Sequence, residues 1–304
     1  MIYDVIIIGS GPAGLSAAIY GQRAKLNVLV IEKQPLSGGQ ILNTYDVDNY
    51  PGMPGISGFE MGTKFREHAE KLGAQIVNDM ILQVELDGKI KKIVTEKETY
   101  ETKTIIIATG AKHRKLDAPG EVELTGMGVS YCATCDGAFF RGKDTAVIGG
   151  GDVALEDALF LARTCNKVYL IHRRDEFRGA KILQQKVMET ENIEVIWDTV
   201  VEQINGNGMV ESLSLYNRKK DEHDTLAVNG VFVAVGIEPE TDLFMGQVGM
   251  TSAGYIEAGE DCRTDVEGVF AAGDVRTKQL RQVITAAADG ANAITSIEKY
   301  LQML

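Results

Sequence analysis

The sequence predicts an α/β protein in which one βαβ-built domain interrupts another. Three observations lead there. An apolar strand running into a glycine-rich turn occurs twice, at residues 3–8 and 145–148. Each turn is followed by a helical stretch and a second apolar strand, so each copy is one βαβ unit and the pair reads as an internal duplication. A further strand ending in glycine, Gly268-Val269-Phe270-Ala271-Ala272-Gly273-Asp274, comes only after the second copy has closed. A chain of 304 residues has room for two domains.

The elements follow in order. Tyr3-Asp4-Val5-Ile6-Ile7-Ile8 is apolar on both alternating faces, as a strand buried in a parallel sheet must be. Gly9-Ser10-Gly11-Pro12-Ala13-Gly14 forms the turn, a helix runs to about Arg23, and a strand over residues 27–31 ends at Glu32. A helix over 58–72, alternating strands between 81 and 95, and an apolar strand over 104–108 that ends in Thr109-Gly110 complete this part. The second copy runs from strand 145–148 through Gly149-Gly150-Gly151-Asp152-Val153-Ala154 into a helix to about Arg163, then strand 167–171. Residues 230–236 close it, and a helix over 281–301 closes the chain. The expected division is residues 1–113 with 242–304 for the first domain and 114–241 for the inserted one. Residues 111–115 and 238–242 are the connections. The run Arg218-Lys219-Lys220-Asp221-Glu222 reads as a solvated hairpin turn.

Composition narrows the function. A formal net charge of −12 disfavours nucleic acid or an anionic membrane as a bulk partner. No apolar run approaches the ~18 residues of a membrane span. No basic stretch or cleavage site precedes the first strand, so the expected compartment is the cytoplasm. Four cysteines, at 132, 135, 165 and 262, are too few for a disulfide-stapled scaffold. Cys132 and Cys135 stand in CxxC spacing just ahead of the second glycine turn, which reads as a reversible redox pair. Zinc is the rival reading. It needs two more ligands, and neither Cys165 with Cys262 nor the four histidines offers a ligand spacing, so no metal is expected.

Each motif has a chemistry. In Gly9-x-Gly11-x-x-Gly14 the first glycine permits the turn, the second admits a pyrophosphate, and the third lets helix and strand pack. The phosphate then faces the N–H groups and positive dipole end of the helix. Glu32 is placed to accept ribose hydroxyls. The second fingerprint, Gly149-x-Gly151-x-x-Ala154, ends its next strand in His172-Arg173-Arg174-Asp175-Glu176-Phe177-Arg178. No acid sits at the ribose position there. Guanidinium groups suit a 2′-phosphate, which favours NADPH over NADH. Asp274 serves equally as a partner of a flavin ribityl hydroxyl or as a helix cap. Asp136 has the chemistry of a proton shuttle beside the thiols, but on spacing alone a turn former before Gly137 is the better reading.

Cys132-Ala133-Thr134-Cys135-Asp136-Gly137, Gly149-Gly150-Gly151-Asp152 and His172-Arg173-Arg174-Asp175 resemble the low-molecular-weight, bacterial-type thioredoxin reductases. Gly9 to Gly14, Gly38-Gly39-Gln40, Asn49-Tyr50-Pro51-Gly52, Ala271-Ala272-Gly273-Asp274 and Arg281-Gln282 extend the resemblance over essentially the full length. It implies two Rossmann-like, three-layer ββα domains. The discontinuous domain would bind FAD through Gly9, Ser10, Gly11, Pro12, Ala13, Gly14, Glu32, Lys33, Gly39, Gln40, Asn49, Gly110, Gly273, Asp274, Arg281, Gln282 and Val283. The inserted domain would bind NADPH through Gly149, Gly151, Asp152, Val153, His172, Arg173, Arg174 and Arg178. Electrons would pass from NADPH to FAD, to the Cys132–Cys135 disulfide, and to thioredoxin. Cys135 would face the flavin, Cys132 would attack the partner, and Asp136 would donate a proton. The resemblance also implies a homodimer and a rotation of one domain against the other between half-reactions. The alternative is a reductase of the same fold serving a glutaredoxin-like carrier or a peroxiredoxin. Asp152, Gly179 and Ala288 differ from the residues usual in the family.

Overall fold

The computed structural model describes residues 1–304 except 45, 46 and 48. Its internal contacts divide the chain into two units. The first comprises Met1–Leu42, Tyr50–Lys112 and Glu238–Leu304; the second comprises Asn43–Asn49 and His113–Ile237.

The first unit opens with β1 (Ile2–Ile8), α1 (Pro12–Arg23), β2 (Val28–Glu32), α2 (Gly58–Lys71), β3 (Gln75–Asn78), β4 (Ile81–Glu85), β5 (Lys91–Thr95) and β6 (Thr99–Ile107). A short strand, β7 (Ala111–His113), leads out of it. The second unit then runs β8 (Val129–Ser130), α3 (Ala133–Asp136), β9 (Asp144–Gly149), α4 (Asp152–Leu161), β10 (Lys167–Ile171), α5 (Lys181–Glu189) and β11 (Ile193–Ile196). It continues through β12 (Thr199–Gly206), β13 (Val210–Asn217), β14 (Glu222–Ala227) and β15 (Gly230–Ala234). The return strand β16 (Ile237–Pro239) pairs with β7, so the outgoing and returning connections are tied to each other. The first unit closes with β17 (Val269–Ala271) and α6 (Val283–Leu301).

The sheet of the first unit has the order β3-β2-β1-β6-β5-β4, with β17 also beside β6. Its nucleus is parallel: Ile7 lies opposite Val30 on β2 and Ile106 on β6. β4 and β5 add an antiparallel edge. Because successive side chains on a strand point to opposite faces, the unbroken apolar run of β1 feeds two cores. Val5 and Ile7 pack with Leu15 of α1 and Ile294 and Ile297 of α6. Ile6 and Ile8 pack with Ile93, Phe244 and Ile256 on the other face. Helix α6 begins at Val283, two residues later than expected. Gln282 and Thr285 form a reciprocal capping box there, which stops the helix at its N-terminus.

The sheet of the second unit is parallel throughout, in the order β11-β10-β9-β15-β8. Val147, Leu170 and Phe232 face α4, against Leu155, Ala158 and Leu161. Ala146, Ile148 and Val231 face the antiparallel sheet β12-β13-β14, against Ile204 and Leu213. Arg218 to Asp221 fall in the turn between β13 and β14, with Asp221 at φ 56°. Among the described residues, no helix is long and apolar enough to cross a membrane.

Candidate active site

In the first unit the expected cofactor residues gather at the C-terminal ends of the parallel strands, where α/β sheets bind nucleotides. Gly9 follows β1 at φ 102°, and a Cβ on it would lie 2.5 Å from the Ala108 carbonyl oxygen. A Cβ on Gly14 would lie 1.9 Å from the Gly9 oxygen, so only glycine lets α1 start this close to β1. Gly11 is the N-cap of α1, has no capping side chain, and is followed by Pro12 in the first turn. The nearest atom to a Cβ there is 3.9 Å away, which leaves the helix N–H groups open to an anion. Ala13 is buried beneath them.

Glu32 ends β2 and is bound within the fingerprint. Its Oε2 accepts from the N–H and the hydroxyl of Ser10, both at 2.7 Å, and its Oε1 accepts from Gln34 N–H at 2.8 Å. Lys33 pairs at the surface with Glu240 at 2.8 Å. Gly39 and Gln40 begin a 3₁₀ turn, and the N–H of Gly38 donates to the Ser10 carbonyl, which draws this turn to the fingerprint. Gly110 follows β6 with open space where a Cβ would be. Asn49 groups with the second unit.

The third strand end is β17. Asp274 follows it, and its Oδ1 is buried without a hydrogen-bond partner among the described residues. Burial pushes its carboxyl above the usual aspartate value, against the pull of Lys278 and Arg281. Arg281 lies over the Tyr255 ring at 4.2 Å, and its Nε is likewise buried and unpartnered. Gln282 and Val283 open α6 beside it. An orphaned buried acceptor and an orphaned buried donor fit a ligand with hydroxyl and phosphate groups.

In the second unit, a Cβ on Gly149 would lie 2.4 Å from the Ala234 oxygen and 2.7 Å from the Ala154 Cβ. Gly151 is the uncapped N-cap of α4, with open space around it. Asp152 Oδ1 accepts from Ala180 N–H at 2.7 Å, which fastens the loop after β10 to the start of α4. Val153 is exposed. Arg173, Arg174 and Arg178 are exposed on that loop and make no ion pair among the described residues. His172 differs from them. It is 5% exposed, its ring fills the space beside Gly150, and it packs with Phe177 and Trp197. Burial lowers its pKa, so the ring is neutral at pH 7 and supports the loop from beneath. Gly179 has a local reason as well: a Cβ there would lie 2.5 Å from Leu155 Cδ1.

Cys132 and Cys135 form a disulfide across α3, with Cα atoms 5.3 Å apart. Cys132 is the N-cap, and both cysteines are half-buried. Asp136 is one residue on. Its Oδ2 accepts from the Ser130 hydroxyl at 2.6 Å, and the Ser130 Oγ accepts from Cys132 N–H at 3.1 Å. Ser130 therefore joins the carboxylate to the main chain of the redox pair. The motif alone did not single it out, because its role depends on β8 pairing with β15. Glu121 likewise belongs to no motif; its donors are gathered by the loop after β7 and by Tyr131. It is 1% exposed and accepts from Leu116 N–H at 2.8 Å, Asp117 N–H at 2.9 Å and the Tyr131 hydroxyl at 2.8 Å. Tyr131 also stacks on His113 at 5.3 Å. A cleft of about 430 Å³ lies against Thr134, lined by Asp157, Phe160, Arg163, Leu183 and Lys186 among others. Burial, and secondarily Glu156, pushes the Asp157 carboxyl up to about 7. No cluster of three metal-ligating side chains occurs among the described residues.

The chain matches the Pyridine nucleotide-disulphide oxidoreductase family over residues 3–290. It is 48% identical to the thioredoxin reductase of Peptoclostridium acidaminophilum, over 99% of this chain and 98% of that protein. It is 45% identical to the thioredoxin reductase of Bacillus subtilis, over 100% of this chain and 96% of that protein. Its structure is similar to that of the thioredoxin reductase from Streptococcus pyogenes, with a TM-score of 0.94, 44% identity, and coverage of 100% of this chain and 99% of that one. With a half-buried disulfide and two nucleotide fingerprints already in place, these likenesses mean that the chain belongs to the bacterial-type thioredoxin reductases of the pyridine nucleotide-disulphide oxidoreductase family.

Proposed function

We propose that the chain carries two electrons from NADPH, through FAD, to the Cys132–Cys135 disulfide and on to the disulfide of thioredoxin. The observation that carries this is the position of that disulfide: half-buried, beside Asp136 and Ser130, in the same unit as the arginine-bearing fingerprint. The first unit would hold FAD through the turn at Gly9 to Gly14 and the orphaned groups of Asp274 and Arg281. The second would hold NADPH, with Arg173, Arg174 and Arg178 on its 2′-phosphate. FAD, when bound, supplies a two-electron carrier between the nicotinamide and the disulfide.

The residues of the chain do the rest. Once reduced, Cys132 attacks the partner disulfide as a thiolate and forms a mixed disulfide, releasing one partner thiolate. Cys135 then attacks Cys132, which re-forms the internal disulfide and releases the second. Two electrons and two protons leave for the partner. Asp136, held by Ser130, is the group placed to pass a proton to or from the thiols. The chain would work as a cytoplasmic homodimer, with rotation about the paired connections β7 and β16 between half-reactions.

Anaerobic stopped-flow mixing tests the reading. NADPH should bleach a bound flavin faster than NADH, and oxidised thioredoxin should restore its colour. A colourless purified protein, or a reduced enzyme that thioredoxin does not reoxidise, would contradict it.

A further inference from the structure

We infer that Asp289 is a positioning residue for the flavin site, fixing the turn after β17 to α6 and α1. Asp289 is 4% exposed, and it acts through the groups it holds. Its Oδ2 accepts from Gly273 N–H, from Arg276 Nε and from Lys278 Nζ, each at 2.9 Å, and its Oδ1 accepts from Arg276 Nη2 at 2.6 Å. Arg276 uses its remaining Nη1 on the carbonyls of Ala258 at 3.1 Å and Thr277 at 2.8 Å. One carboxylate thus holds the main chain of Gly273 and two cations that are themselves nearly buried.

The neighbours of Asp289 carry the constraint to the fingerprint. Gly290 packs so close to α1 that a Cβ on it would lie 2.2 Å from the Ala13 oxygen. A Cβ on Gly273 would lie 2.9 Å from the Ala13 Cβ. The strand-end turn, the middle of α6 and the first turn of α1 therefore meet at one point, and there Asp289 accepts from Gly273, Arg276 and Lys278 together. Asp274 follows Gly273 directly. Where its orphaned Oδ1 points depends on the turn that Asp289 holds. A hydrogen bond to a buried charged acceptor is costly to lose because the donors stay behind unpaired.

The inference rests on FAD binding in the first unit, so the native protein is the control: if it purifies colourless, that reading fails and not this one. Given a yellow native protein, Asp289→Ala should weaken FAD at least ~10-fold, the loss expected for a few such bonds. FAD release into dilute buffer, followed by flavin fluorescence, gives the measure. At saturating FAD the variant should also lose vibronic structure in the flavin visible band, which a purely structural weakening would not alter. NADPH affinity of the second unit should stay within ~2-fold. Asp289→Asn, which keeps one oxygen for Gly273 N–H but discards the charge, should fall between the native protein and the alanine variant. Native-like FAD affinity and spectrum in Asp289→Ala would overturn the inference. So would equal losses in both units, or an Asp289→Asn variant that no longer folds, since either would mark a global role.

Discussion

At the residue scale, the chemistry turns on a few atoms around the redox pair. Cys135→Ser should abolish thioredoxin reduction while the flavin stays bound, because the internal disulfide can no longer form; turnover with thioredoxin, read by a coupled assay, checks it. Ser130→Ala removes one hydroxyl that joins Asp136 to Cys132 N–H. A hydrogen bond to a carboxylate is worth roughly 1.5–3 kcal/mol. We expect ~10-fold slower reoxidation by thioredoxin with little change in the rate of flavin reduction by NADPH. Equal slowing of both half-reactions in stopped flow would contradict that role. The CxxC spacing named the thiols, but not Ser130 or Glu121. A serine two residues before a cysteine is ordinary in sequence, and a glutamate in a turn is more so. Each acquires its function from partners that only the folded chain supplies.

At the element scale, strand ends decide what the loops can bind. β10 ends at Ile171 and hands its loop one buried imidazole and three exposed guanidinium groups. His172 is packed and burial lowers its pKa, so the positive charge this loop presents at the surface is that of the arginines. Replacing Arg173 and Arg174 together with Ala should raise the KM for NADPH by ~10- to 100-fold and leave NADH nearly unchanged, since each charge-assisted bond is worth roughly 1.5–3 kcal/mol. An unchanged NADPH-to-NADH ratio would assign the 2′-phosphate to other residues. The strands and helices of both fingerprints were legible in the sequence because their pattern is local: apolar runs, spaced glycines, a helix start. The side chain at each strand end was legible by type but not by orientation. Glu32 is an acid where a ribose acceptor belongs, yet in the fold its oxygens already hold Ser10 and Gln34.

At the scale of the whole molecule, stability follows the buried charges. Asp157 has its carboxyl pushed up to about 7 by burial. A carboxyl whose folded pKa lies above its unfolded value of 3.8 costs stability as pH rises from that value to about 7, and the cost stays constant above it. Asp157→Asn should therefore raise the melting temperature at pH 8 and leave it unchanged near pH 3.5, a pair of calorimetric scans. Asp289 runs the other way. Burial alone would raise its carboxyl, but hydrogen bonds from Arg276 and Lys278 outweigh this and hold it below the usual 3.8. Its contribution is present above that value and is lost as pH falls below it.

That two nucleotide fingerprints and one redox pair share this chain can be read from the order of its residues alone. Those features are written in runs of neighbouring residues, where backbone geometry and periodicity leave little choice. The tertiary structure decided which side chains support them. Glu121 joins the segment after β7 to Tyr131, Ser130 holds Asp136, and Asp289 gathers Gly273, Arg276 and Lys278. A buried carboxylate is stable only where several donors converge on it, and that convergence depends on how neighbouring turns and helix ends fold onto one another, which no local residue pattern spells out.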